Sequence, residues 1–417
     1  MTALAPAGRI APQPWMSEPA TRTVLEALAA GGAAALFVGG AVRDALLGRE
    51  IGDIDLATPA APEQVMALLQ ARGIKTIPTG LAHGTVTAVV PPRRFEITSL
   101  RRDVETYGRR ARVAFGADWA ADAARRDFTM NAIFLAADGT LYDPVGGLAD
   151  LFAGRVRFVG DPAARIAEDV LRLLRYYRFE AYFGRGGGDA AARAACRQAI
   201  PLLPRLSAER VAQELLRLLA AANPVPALRM MDEDGVLAAV LPEARRIDRL
   251  ERLLPLEPEP DALRRLAALV VVDAAGASAL AGRLRLSNAA RDRLTNLAPP
   301  WPLDPQADAR GWRRMLYRLG VARARDLALL LAAEGMMSPQ RLAAFLALAR
   351  DWKPPAFPLA GRDVVALGIA PGPRVGQLLA AVKSWWEEGD FAADHARCRA
   401  RLRELAAASD SRRDEAE

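Results

Sequence analysis

The chain has 417 residues, 52% of them apolar and 25% charged; that is more than one hydrophobic core supports, and the composition excludes a disordered or fibrous protein. Its net charge of +7 favours a polyanionic partner without naming one, and the charge comes almost wholly from arginine, since Lys75, Lys353 and Lys383 are the only lysines, a bias that coding composition also explains. Cys196 and Cys398 lie far apart with no CxxC pattern, which excludes a disulfide framework and a Cys-rich zinc site and agrees with a reducing, cytoplasmic setting.

In chain order, residues 1–20 are rich in Ala and Pro, lack the pattern of a signal peptide and read as a loose tail. The apolar run Ala27–Val42 is too short to span a membrane, and glycine pairs at Gly31-Gly32 and Gly39-Gly40 divide it into a helix end, a strand from Ala34 to Val38 and a turn. Over residues 21–160 short apolar runs at Gly84–Val90, Arg94–Ser99 and Asn131–Leu135 alternate with helical patterns at Val42–Leu47 and Pro62–Arg72, an α/β head. Beyond Asp161-Pro162 the periodicity becomes helical, so the fold class is α+β: a mixed head followed by all-α segments at 161–235, 236–350 and 351–408, with proline breaks near Asn223-Pro224, Pro255–Pro260, Pro299–Pro305 and Pro354–Pro358. Residues 409–417 have too few apolar side chains to pack and read as frayed.

Three constellations carry chemistry. In Phe37-Val38-Gly39-Gly40-Ala41-Val42-Arg43-Asp44 a strand meets a glycine turn and a helix start, where free backbone amides and Arg43 suit a triphosphate; alone, such a turn is more often structural. In Gly52-Asp53-Ile54-Asp55-Leu56 two carboxylates at i and i+2 project from one face of an apolar strand. Their repulsion would be relieved by hard divalent cations; the bland reading is a solvated edge strand, and the balance moves to metal because the pair follows a glycine turn and helix so closely. In Glu168-Asp169-Val170-Leu171-Arg172-Leu173-Leu174-Arg175-Tyr176-Tyr177-Arg178 the residues Asp169, Arg172 and Arg175 recur every third position, as if on one helical face, which without company would be a salt-bridged surface. Glu96, in the strand Arg94–Thr98, is either a third carboxylate of the site or an edge-strand charge. His83 and His395 are the only histidines, so histidine triads, HExxH zinc sites and His-Asp phosphohydrolase chemistry are excluded.

Taken together and in order, GGAVRD, GDIDL, RRDFTMNA, DPVGGLADL and EDVLRLLR resemble the successive motifs of the class II CCA-adding enzyme and bacterial poly(A) polymerase family, over Leu36 to about Phe183. RLSAERVAQEL (Arg205–Leu215) resembles the neck that follows, and Pro358–Val382 the tail. The resemblance implies a polymerase-β-type head of about five strands, then helical neck, body and tail holding a tRNA. It implies Asp53 and Asp55 as ligands of two Mg2+ ions; Gly39, Gly40 and Arg43 at the triphosphate; and Arg126, with Arg125, at the incoming nucleotide, Asp127 bracing that loop. It implies Asp169 and Arg172 as the pair that replaces a template, with Arg175 and Arg178 extending toward phosphate or base, and the basic stretch Arg101–Arg110 as the loop used in switching from C to A.

The chemistry of that pair is intelligible. Cytosine and adenine both place an exocyclic amine beside a ring-nitrogen acceptor, matching a carboxylate next to a guanidinium, whereas uracil and guanine oppose the carboxylate with a carbonyl. The expected activity is template-independent addition of CCA to a tRNA 3′ end from CTP and ATP. The alternatives are poly(A) addition by the same site and, from another class, a non-catalytic RNA-binding protein, which would not need both Asp53 and Asp55; a dinucleotide-binding oxidoreductase lacks its GxGxxG. No membrane and no protein partner is implied.

Overall fold

The computed structural model describes residues 4–80, 84–107, 110–116 and 118–414. It divides into two units, one up to Ala244 and one from Arg245. The first contains, in order, β1 (Pro6–Arg9), α1 (Pro19–Ala30), β2 (Leu36–Val38), α2 (Gly40–Leu46), β3 (Ile54–Thr58), α3 (Pro62–Gln70), β4 (Lys75–Gly80), β5 (Thr85–Val90), β6 (Arg93–Ser99), β7 (Arg101–Tyr107), β8 (Arg110–Phe115), α4 (Trp119–Ala124), β9 (Phe134–Leu135), β10 (Thr140–Tyr142) and α5 (Gly147–Ala153). Six helices complete it: α6 (Pro162–Glu168), α7 (Leu171–Phe183), α8 (Ala190–Ala199), α9 (Ala208–Leu219), α10 (Val225–Glu233) and α11 (Val236–Val240).

Eight strands form one sheet in the order β1-β10-β9-β2-β3-β6-β5-β4, antiparallel except where β3 runs parallel to β6, while β7 and β8 make a separate ribbon. The alternation in β3 and β6 explains their placement. Ile54, Leu56, Phe95 and Ile97 are fully buried, and the residues between them, Asp55 and Glu96, therefore share the opposite face. Helix α3 packs on β4, β5 and β6 through Val65 and Leu69. A second cluster gathers Val38, Ala57, Trp119, Ala123 and Phe134, with Trp119 edge-on to Phe134 at 5.4 Å.

Three expectations change. The sheet has eight strands where about five were expected, because two- and three-residue strands such as β9 and β10 leave no readable alternation. Residues 1–20 are not loose throughout: β1 pairs with β10, and Trp15 and Met16 are buried, Trp15 lying edge-on to Phe37 at 4.8 Å. The proline-rich context hid this, since Pro14 starts a 3-10 turn and Pro19 starts α1. At the other end the last helix runs from His395 to Asp414, so residues 409–414 are helical.

Outer strand β4 contains Pro78 at an irregularity between Ile77 and Gly80. The second unit is helical, from Ile247–Leu253 to His395–Asp414. Its interior holds a buried ionic group in which Glu257 accepts from Arg264 and Arg265 and Arg264 also donates to Asp326, and an apolar cluster around Val382, Trp386, Cys398 and Leu402. Among the described residues no helix is long and apolar enough to cross a membrane.

Trp15 is 6% exposed, so Trp15→Ala is expected to destabilise the first unit by about 3 kcal/mol, the cost of a large cavity, read as a lowered urea midpoint. An unchanged midpoint would return this segment to the status of a tail.

Candidate active site

The glycine turn is shaped by what stands behind it. Gly39 has φ 74°, ψ −135°, and a Cβ there would lie 3.0 Å from Oδ2 of Asp55; only glycine combines that backbone with so close a carboxylate. Strand β2 pairs with β3 so that Val38 is opposite Asp55, and α2 starts at Gly40. One turn into α2, Arg43 donates from Nε and Nη2 to the Asp44 carboxylate (3.0 and 2.9 Å) and from Nη1 to Oδ1 of Asn131 (2.8 Å), with its guanidinium 4.2 Å from the centre of the Phe183 ring. Arg43 is thus held flat beside the turn.

Asp55 and Glu96 are direct partners in the parallel register of β3 and β6, and Asp53 immediately precedes β3. Burial, then the charges of Glu96 and Asp53, raise the Asp55 carboxyl to about 6, although Arg126 and Arg43 pull the other way. Among the described residues no three His, Cys, Asp or Glu side chains are already gathered as a metal cage. The donor set nevertheless fits Mg2+, which takes few carboxylates and completes its shell with water and phosphate oxygens. A cation beside Asp55 would favour its charged form and so oppose the burial and carboxylate repulsion that raise its pKa. Glu96 is more than an edge charge in this register, since it faces Asp55 and perturbs it.

The RRDFTMNA segment follows α4. Buried Asp122 accepts from both Arg125 and Arg126, Oδ1 from the former and Oδ2 from the latter at 2.9 Å, and Arg126 lies 5.5 Å from the centre of the Phe134 ring. Asp127 binds Arg175 of α7 (Nε, 2.8 Å), the Asn131 amide (3.1 Å) and the Phe128 N–H (2.9 Å). Burial would raise its pKa, but Arg175, Asn131 and Phe128 outweigh it and hold the carboxyl at about 2.

The spacing of Asp169, Arg172 and Arg175 does not place all three on one helix. Helix α6 ends at Glu168, Asp169 is extended (φ −148°, ψ 106°), and α7 begins at Leu171, whose N–H donates to Oδ1 of Asp169 at 3.1 Å. Nor do Asp169 and Arg172 pair with each other. Arg172 donates to Glu168 (2.6 Å) and to the Arg165 carbonyl (3.0 Å), while Asp169 accepts a fork from Arg210 of α9 at 3.1 and 2.7 Å. Burial works to raise the Asp169 pKa, but Arg210 and the Leu171 amide carry it below the usual value. Arg178 is likewise committed, to Glu214 of α9 at 2.6 Å, so neither Arg175 nor Arg178 extends freely toward a ligand.

Arg210, Glu214, Asn131 and Asp122 were missed as site residues in the sequence. Arg210 and Glu214 are four apart in RLSAERVAQEL, and that spacing puts both on one face of α9; it is the one signal that could have found them. His83, Gly108 and Arg109 lie outside the described residues; the rest of Arg101–Arg110 belongs to the β7–β8 ribbon.

Residues 35–157 match the family described as poly A polymerase head domain, and residues 189–247 the one described as probable RNA and SrmB-binding site of polymerase A. The CCA tRNA nucleotidyltransferase 1, mitochondrial, of Mus musculus is 33% identical over 377 residues, covering 85% of this chain and 83% of its own. The CCA-adding enzyme of Geobacillus stearothermophilus is 41% identical over 221 residues, 52% of this chain and 53% of its own. Among solved structures, the Bacillus stearothermophilus CCA-adding enzyme in complex with CTP superposes with TM-score 0.79 at 31% identity, over 96% of this chain and 100% of that one.

Gly39→Ala is expected to leave the protein folded while lowering nucleotide incorporation at least about a hundredfold, the order of loss from displacing reacting groups by an ångström; full activity would separate the turn from the site. For Asp127, a folded-state pKa of about 2 against an ordinary value of 3.8 means stability present above pH 4 and lost as pH falls toward 2. Asp127→Asn should therefore cost about 2 kcal/mol at pH 7, with the difference from wild type vanishing near pH 2 in urea titrations.

Proposed function

Because the chain belongs to the CCA tRNA nucleotidyltransferase family, we propose that it adds CCA to the 3′ end of tRNA, without a nucleic-acid template, using CTP and ATP. The observation that carries the reading is the pairing of Asp55 with Glu96 on one face of the sheet beside the Gly39-Gly40 turn, with Asp53 immediately before β3 and near enough to help raise the Asp55 carboxyl.

Asp53 and Asp55 are the residues that would hold two Mg2+ ions, with Glu96 as the neighbouring third carboxylate. Bound magnesium supplies Lewis-acid stabilisation of phosphate charge and a lowered pKa for a coordinated hydroxyl. The chain's own residues do the rest. Backbone amides at Gly39 and Gly40, with Arg43 held by Asp44 and Asn131, receive the triphosphate. Arg126, fixed by Asp122, adds positive charge beside Asp55 and stands at the incoming nucleotide.

Asp169 and Arg172 are positioned rather than loose. Arg210 fixes the Asp169 carboxylate in plane while leaving it 30% exposed, and Glu168 steadies Arg172. A carboxylate so held accepts from the exocyclic amine of cytosine or adenine, and the guanidinium donates to the adjacent ring nitrogen. Uracil and guanine would set a carbonyl against the carboxylate with no proton between them, which costs discrimination-scale free energy of several kcal/mol. Arg210 therefore belongs to the selecting machinery as a positioning residue.

The test is incorporation of each labelled nucleoside triphosphate, singly and together with Mg2+, into a tRNA transcript ending before CCA and into an unrelated RNA. The expected result is C, C and A on the tRNA, then arrest, with Asp55→Ala lowering the rate at least about a thousandfold. Long A tracts on both RNAs would convert the reading to poly(A) polymerase, and an active Asp55→Ala variant would remove the mechanism.

A further inference from the structure

Behind the glycine turn lies a cleft of about 420 Å3, between the C-terminal end of α2 on one side and α7 and α9 on the other. Four arginines, Arg43, Arg49, Arg178 and Arg217, line it against two carboxylates, Asp44 and Glu50. Two of the arginines are already committed, Arg43 to Asp44 and Asn131 and Arg178 to Glu214. Arg49 and Arg217 have no ion-pair partner among the described residues, and both are exposed.

Arg49 is nonetheless aimed. Its guanidinium sits 4.6 Å from the centre of the Phe183 ring and donates from Nη2 to the Tyr182 carbonyl at 2.9 Å. The Tyr182 hydroxyl in turn donates to the Arg217 carbonyl at 3.0 Å, tying α7 to the stretch of α9 that carries Arg217. Arg49 thus lies against an aromatic ring with a single N–H given to a protein acceptor among the described residues, and Arg217 lines the same cleft, exposed, an arrangement suited to phosphate oxygens. The cleft also adjoins the reacting groups, because Arg43 forms its wall and lies against Gly40, next to the Gly39 that touches Asp55.

We propose that this cleft binds the phosphodiester backbone of the unpaired 3′ strand of the RNA, upstream of the hydroxyl that is extended; the proposal rests on the RNA-extending reading of the same active site. Charge selects this ligand over the triphosphate of a nucleotide. Four arginines against Asp44, Glu50 and the Glu214 that takes Arg178 leave a net formal charge of +1, which matches a singly charged phosphodiester, whereas a triphosphate would be brought against Asp44 and Glu50. Size selects single strand over duplex, since the cleft is at the small end of nucleotide-sized sites and cannot admit a helix.

The decisive experiment compares wild type, Arg49→Ala/Arg217→Ala and Arg217→Lys. For each, the KM for a tRNA transcript lacking CCA and the KM for CTP are measured, and binding of the same transcript is followed by fluorescence anisotropy across a salt series. The double variant is expected to raise the RNA KM about tenfold and leave the CTP KM and kcat unchanged. Its log K against log[salt] slope should become shallower by about 1.4, the value for two contacts to a single strand. Arg217→Lys should keep the charge and most of the affinity. An unchanged RNA KM and salt slope, or a CTP KM that rises as much as the RNA KM, would overturn the proposal. The anisotropy arm needs no catalysis, so a wild-type protein that adds no nucleotide would refute the proposed activity while the cleft is still judged by whether the double variant loses RNA affinity.

Discussion

Carboxylates on one face of a sheet repel one another, and the parallel pairing of β3 with β6 builds that repulsion into the backbone by setting Asp55 opposite Glu96. Neither residue can move to the other face without shifting its strand, because Ile54 and Leu56 flanking Asp55, and Phe95 and Ile97 flanking Glu96, are sealed in the core. The burial that stabilises the sheet is therefore the same constraint that concentrates negative charge beside the glycine turn. The carboxylate face is left with an excess of negative charge, and the neighbouring arginines answer only part of the imbalance.

The helices that follow supply the opposite arrangement, in which charges are matched. Arg125 and Arg126 share Asp122, Arg175 takes Asp127, Arg172 takes Glu168, Arg178 takes Glu214, and Asp169 takes Arg210. Most of these groups are partly or wholly removed from water, so each pair sets an orientation more than it adds stability. The consequence is a rigid frame around Asp169 and Arg172. Within the first unit this frame links α4, the RRDFTMNA segment, α7 and α9, elements separated by up to about ninety positions in sequence.

Legibility in the sequence followed the range of each interaction. The Asp53/Asp55 pair, the glycine turn and the helical periodicity of α7 and α9 are local, and they were readable because period and spacing alone specify them. The register that brings Glu96 to Asp55 is a long-range pairing between two strands with other elements between them, so the sequence left Glu96 with two readings, and only the fold shows that it sits on an inner strand opposite Asp55. The same holds for Arg210: nothing near Asp169 announces a partner 41 residues away. Asp169 itself misled in a different manner, since the three-residue spacing to Arg172 mimics a helical face although the chain is extended at that point. Short strands β1, β9 and β10 went unread for lack of length, and Trp15 because its proline-rich surroundings resemble those of a free terminus.

The outer strand β4 gives the sheet a further property. Pro78 has no N–H to offer, and the irregularity between Ile77 and Gly80 bends the line of unpaired groups away from a straight template. At the opposite border β1 is only four residues long and wholly exposed. An eight-stranded sheet would ordinarily invite strands from other molecules to join it. Here both borders are poor docking rails, which protects a protein rich in hydrophobic strands from edge-to-edge aggregation.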